Sequence, residues 1–353
     1  MGLPLPGRGP CDKNLPRMSR RKQLVVIIVA VLLITSALNH LIARQFKIFS
    51  KAGERLEFGN PDEKRLGFAA GSSLTFYGIA WKDVAESLGQ KLVSYAVPGG
   101  SVREMEVMFR RQPAATCTFI GISAYDINEH HISNFRAQLV PFTEEVGNLW
   151  AVRADWAYSK KVLSQYPMQY VRVIFPTAGQ YGAVMVKLRE ILRAIFHTRT
   201  EPQKPSSEGA VITDKGNSQT STIADWTPAH MERTIVDIRS HAGGVFEFHS
   251  TKRASLFRFI HAAEAQGKVV VLVMPESPVY NAEFLTEEVR HRFDTLLADA
   301  QKESPSAVWV RLDQAPELNS NQYFWDLVHM NAAGQAIGTK ILLAKLAAAG
   351  ITK

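Results

Sequence analysis

With 46% hydrophobic and 21% charged residues in 353, the chain has the balance of a folded protein, which excludes wholesale disorder. Its length suits one large domain, or one domain with a smaller addition. The net charge of +8 is moderately basic, but no zinc-finger spacing or RNA-reading motif accompanies it, so nucleic acid is not an expected partner.

The first sixteen residues, rich in Pro and Gly, read as a disordered tail within a short N-terminal segment, 1–22. Residues 23–44 then form an apolar stretch that just reaches the roughly twenty residues needed to cross a bilayer as a helix. Arg17, Arg20, Arg21 and Lys22 precede it. This charge bias places the N-terminus inside and the bulk of the chain outside. The alternative is a cleaved signal peptide with Thr35-Ser36-Ala37 as its small-residue site. Apolar residues continuing to Ala43 favour an uncleaved single-pass anchor. Such an anchor would separate Cys11 from Cys117, so a disulfide between them is not expected.

After a polar connector over 45–65, strand and helix signals alternate. Leu66 to Ala70 reads as a strand, Thr75 to Leu88 as a helix closed by Gly89, and Lys91 to Ala96 as the next strand. Val102 to Arg111 reads as a helix, and Thr116 to Ile122 as an unbroken apolar strand. Short apolar strands alternating with helices predict a three-layer α/β/α sandwich around a central parallel sheet. The domain should run over 66–350.

An insertion at about 129–265 interrupts the pattern. Within it, Val184, Met185, Leu188, Ile191, Leu192, Ile195 and Phe196 recur at helical spacing with Lys187, Arg189 and Arg193 between them. That basic amphipathic helix either packs on its own domain or lies on a membrane surface. Residues 198–225 are polar and read as a flexible segment. The pattern resumes with a strand at Lys268 to Met274, a helix at Glu283 to Lys302, a strand at Ala307 to Leu312 and a terminal helix at Ala332 to Ala348.

Parallel sheets place their sites beyond the carboxyl ends of the strands. Ser73, Gly99, Tyr125 and Asp126 all follow predicted strands, so all should share one edge. Asp326 and His329 lie in the loop before the last helix, on that same edge. An acid three residues before a histidine can hold the imidazole and fix its tautomer. Serine is a poor nucleophile at neutral pH without such a base. Asp126, Glu129, His130 and His131 contain adjacent histidines, which rarely chelate one ion, so no metal is expected.

The motifs Gly71-Ser72-Ser73-Leu74, Gly99-Gly100 and Asp326-Leu327-Val328-His329 occur in the order of the blocks of the SGNH (GDSL-type) hydrolases, which the chain resembles. Serine stands where the first block has aspartate, as in membrane-tethered relatives that modify polysaccharides. The third block, Gly-x-Asn-Asp, is poorly matched: Gly121 to Asp126 places Tyr125 where asparagine is expected. The resemblance covers about 66–126 and 268–345.

The resemblance implies Ser73 as nucleophile, His329 as base and Asp326 as its orienting carboxylate. The backbone N–H groups of Ser73 and Gly99 would bind the oxyanion, with Tyr125 or a backbone group replacing the asparagine. It implies no cofactor. Together with the anchor it implies a bacterial inner-membrane protein whose periplasmic domain transfers or hydrolyses an acyl group, acetyl foremost, on a cell-surface carbohydrate polymer. A separate membrane protein would supply the acyl group if the reaction is transfer. A lipid or small-ester hydrolase, and an inactive assembly factor of an envelope polysaccharide machine, are the alternatives.

Overall fold

The computed structural model describes residues 20–45, 56–60, 62–96, 98–133, 136–175, 212–213, 216–217, 219–242, 245–248 and 250–352. The chain divides into two units, one of Met1–Phe49 with Tyr170–Thr198, the other of Ser50–Gln169 with Arg199–Lys353.

In the first unit, helix α1 spans Arg20–Gln45. Its Lys22–Ile42 portion is 21 residues long with a mean hydropathy of 2.5. Leu24 to Leu33 expose their side chains outward, which suits a helix long and apolar enough to cross a bilayer. Ser36 Oγ donates to the Ile174 carbonyl at 2.7 Å. The amphipathic stretch expected at 184–196 lies outside the described residues, as do 1–19 and most of 198–225.

The second unit is an α/β sandwich. Its strands are β1 (Leu56–Phe58), β2 (Leu66–Gly71), β3 (Lys91–Ala96), β4 (Cys117–Ile122), β7 (Lys268–Val273) and β8 (Val308–Arg311), ordered β1-β3-β2-β4-β7-β8. A separate two-residue ladder joins β5 (Ile212–Thr213) to β6 (Gly216–Asn217). The neighbours from β3 to β8 are parallel. Strand β1 runs antiparallel to β3, with Leu56 opposite Ser94. The expected parallel sheet is therefore mixed at one edge, and the connector over 45–65 contains a strand. Three residues carry too little periodicity to announce that strand; its pairing with β3 makes it one.

The central strands are unbroken apolar runs because both faces are covered. Every residue of β4 is buried, as are Val269 to Val273 of β7. Each fully buried valine or larger side chain contributes about 1.5–3 kcal/mol.

The chain passes from β2 outward to β3, then returns across β2 to β4. Right-handed crossovers in opposite directions put helices on opposite faces. Helices α2 (Ser73–Gly78), α3 (Trp81–Leu88) and α14 (Ala332–Ala348) pack together; α4 (Val102–Arg110) packs with α11 (Thr251–Glu264). The reversal makes the carboxyl end of β2 the switch point of the sheet.

Two predicted helices are each broken in two. The helix expected over Thr75 to Leu88 stops at Gly78, where a Cβ would strike Met274 and Met330. It restarts at Trp81 after the Ala80 N–H donates to Thr339 Oγ1 at 2.9 Å. The helix expected over Glu283 to Lys302 is α12 (Pro278–Phe284) and α13 (Glu287–Glu303), the latter capped by Thr286.

Apart from the β5–β6 ladder, the insertion is mostly helical where described, and it joins the core through buried charge. Arg136 and Arg103 are fully buried. Arg136 pairs with Glu104 at 2.8 Å and Glu145 at 3.1 Å. Arg103 pairs with Glu106 at 2.7 Å and Glu145 at 3.2 Å. Such charges are tolerated inside only when paired. Gln219–Asp225, expected to belong to a flexible segment, is tied down instead. Ala332 N–H donates to the Gln219 carbonyl at 2.8 Å, Ile223 N–H to that of Phe324 at 2.9 Å.

Candidate active site

Strand β2 ends at Gly71, and Ser72 turns the chain into α2. The Ser72 hydroxyl accepts the Leu74 N–H at 3.1 Å, capping that helix. Ser73 is thereby its first residue. Thr75, two residues on, is buried against the sheet. A Cβ on Gly71 or Gly121 would collide with the Thr75 side chain, so glycine at both strands lets the helix sit this close.

The second half comes from 325–331. Asp326 Oδ1 accepts the N–H groups of Val328 and His329, each at 2.8 Å. This closes a tight turn, and Trp325 N–H donates to the His329 carbonyl at 3.0 Å. Asp326 Oδ2 lies 2.7 Å from His329 Nδ1, and His329 Nε2 lies 2.7 Å from Ser73 Oγ. With a carboxylate at Nδ1, that nitrogen carries the proton and Nε2 is free to accept the serine's. The Trp325 ring stacks on the imidazole and Tyr77 meets it edge-on, with centroids 5.7 Å apart. Asn331 caps α14 and its amide donates to the carbonyls of Gln322 at 2.7 Å and Ser221 at 3.2 Å, fixing where the loop leaves.

Burial alone would raise the Asp326 carboxyl. The His329 ring and the two backbone N–H groups outweigh it and hold the group below the usual carboxylate range. Asp326 is therefore a carboxylate at neutral pH.

Gly99 follows β3 with φ +74, a left-handed conformation glycine adopts without strain. Since Gly71 and Ala96 are partners in the parallel ladder, Gly99 stands on the edge that carries Ser73. Tyr125 stands just after β4, on the same edge. Its N–H donates to Glu276 Oε1 at 3.2 Å and its ring packs against His131. Burial pushes its phenol up to about 12, so it stays neutral.

Three groups on this edge have contacts that the sequence does not announce. Asp126 is buried and accepts from Ser72 Oγ at 2.8 Å; an aspartate early in a helix looks like a cap, and its partner is remote in sequence. Glu276, after β7, is 4% exposed. Burial pushes it up to about 8, with Asp313 and Asp126 adding to the rise. Trp325 directly precedes the Asp-x-x-His motif, and nothing local marks it as the ring partner of His329. Glu129, one of the weighed metal ligands, is committed to Thr251 Oγ1 at 2.7 Å and the Lys252 N–H.

No protein-family model matches the chain, and no curated protein does. A catalytic mutant of Axe2, an acetylxylan esterase from Geobacillus stearothermophilus, is similar in structure. Its TM-score is 0.38 at 10% identity, covering 80% of this chain and 94% of that one. At that level of likeness, the chemistry is read from the chain's own geometry.

Proposed function

We propose that the chain is a serine acyl-ester hydrolase or acyltransferase. The carrying observation is the continuous relay from Asp326 through His329 to Ser73, with both links at 2.7 Å. Ser73 Oγ attacks the ester carbonyl carbon while its proton passes to His329 Nε2. Asp326 stabilises the resulting imidazolium. The N–H groups of Ser73 and Gly99 receive the oxyanion. Collapse expels the alcohol, which takes the proton from His329, and leaves acyl-Ser73. Water or a sugar hydroxyl then attacks that ester, His329 accepts its proton, and Ser73 Oγ leaves with the proton returned.

Helix α1 would anchor the α/β unit on the outer face of a membrane, consistent with the basic residues ahead of it. This location, with the motif resemblance, favours acyl groups on a cell-surface polysaccharide, acetyl foremost. A membrane protein delivering the acyl group is the partner that transfer would require. The complete relay speaks against an inactive assembly factor, which gains nothing from aligning three residues from opposite ends of the fold.

Fluorophosphonate labelling of the full chain in detergent tests the reading. Wild type should label; Ser73→Ala and His329→Ala should not. Labelling undiminished by Ser73→Ala overturns it. Release of acetate from p-nitrophenyl acetate, with and without an oligosaccharide acceptor, separates hydrolysis from transfer.

A further inference from the structure

One ionisable group at the edge has no part in these steps. Asp126 is 1% exposed. Its Oδ2 accepts from Ser72 Oγ at 2.8 Å, and its Oδ1 is buried with no hydrogen-bond partner. The nearest buried cation does not neutralise it directly. Lys252 Nζ donates to the backbone carbonyls of Asp126 and Asn128, both at 2.7 Å. Burial pushes the Asp126 carboxyl up to about 6, against the Ser72 hydroxyl and the Lys252 charge that pull it down.

A serine cap needs no carboxylate behind it. A buried carboxyl oxygen without a partner is costly, and such groups persist where they serve a purpose. Ser72 uses its proton toward Asp126 and its lone pair toward Leu74 N–H. The carboxylate therefore sets the rotor of the hydroxyl that caps the turn presenting Ser73.

We infer that Asp126 is a positioning residue of the proposed serine site: through Ser72 it fixes the first turn of α2, which presents Ser73. The inference rests on Ser73 being the nucleophile. Asp126→Asn keeps an acceptor for Ser72 and Asp126→Ala removes it, so the two variants isolate this link.

The test is the rate of fluorophosphonate labelling of the full chain in detergent at neutral pH. Asp126→Ala should lower it about three- to tenfold, and Asp126→Asn, which keeps an acceptor for the Ser72 hydroxyl, should recover most of it. Ser72→Ala should lower it to the same extent, and the double variant Asp126→Ala, Ser72→Ala should lose no more than either alone. Additive losses, or an Asp126→Ala rate equal to wild type, overturn the inference. If Asp126→Ala does not fold, an unchanged rate in Ser72→Ala overturns it instead. Labelling that survives Ser73→Ala defeats the nucleophile reading itself, and the Asp126 role falls with it.

Discussion

Trp325 lies flat on His329, with ring centroids 5.0 Å apart and planes inclined by 15°. The indole blocks one side of the imidazole and offers its π face to the cation that forms during proton transfer. Such ring pairs contribute about 0.5–1.5 kcal/mol. Trp325→Ala should therefore lower the labelling rate about three- to tenfold, and Trp325→Phe should recover most of it. Equal rates in wild type and the alanine variant would show that the indole does not hold the ring.

Asp326→Asn removes the carboxylate that selects the tautomer. In a triad this change lowers turnover on the order of 10⁴-fold while the geometry survives, and a loss of that order is expected in ester turnover. The same residue shapes acid stability. Its native pKa is depressed, so its stabilisation is complete above the ordinary carboxylate range and is lost as pH falls through the native value. Urea unfolding of wild type should weaken on acidification in that range more than unfolding of Asp326→Asn.

Glu276 has the opposite sign. Its native pKa, pushed to about 8, exceeds its unfolded one, so the folded state holds the extra proton. Stability falls as pH rises from the usual carboxylate range to about 8. Glu276→Gln should flatten that slope and raise the melting temperature more at pH 8 than at pH 5. A variant whose melting curve tracks wild type at both values would refute it.

Arg136→Met should destabilise the α/β unit by about 3–5 kcal/mol, because Glu104 would be left buried without its ion-pair partner and Glu145 with Arg103 alone. Chemical unfolding measures this directly. Arg136→Lys should recover only part, as one ammonium cannot reproduce the fork of the guanidinium.

The core strands were legible because burial on both faces writes continuous apolar runs such as Val269 to Val273. The relay was legible because Gly-Ser-Ser and Asp-x-x-His follow from what the chemistry demands locally. What eluded the sequence depends on partners distant in the chain. Strand β1 exists through β3. At the break after Gly78 the Ala80 N–H is taken by Thr339, 259 positions away. Gln219 to Asp225 has loop composition, but its backbone groups are held by the loop carrying His329. Asp126 acquires meaning only beside Ser72, 54 positions away.

Ser73 and His329 are separated by 256 positions along the chain. During synthesis Ser73 emerges long before His329, so a nascent chain carries the hydroxyl without its imidazole partner while most of it is still being made. The relay closes only when the last segment docks, so under the proposed chemistry reactivity would arrive as a final step of folding.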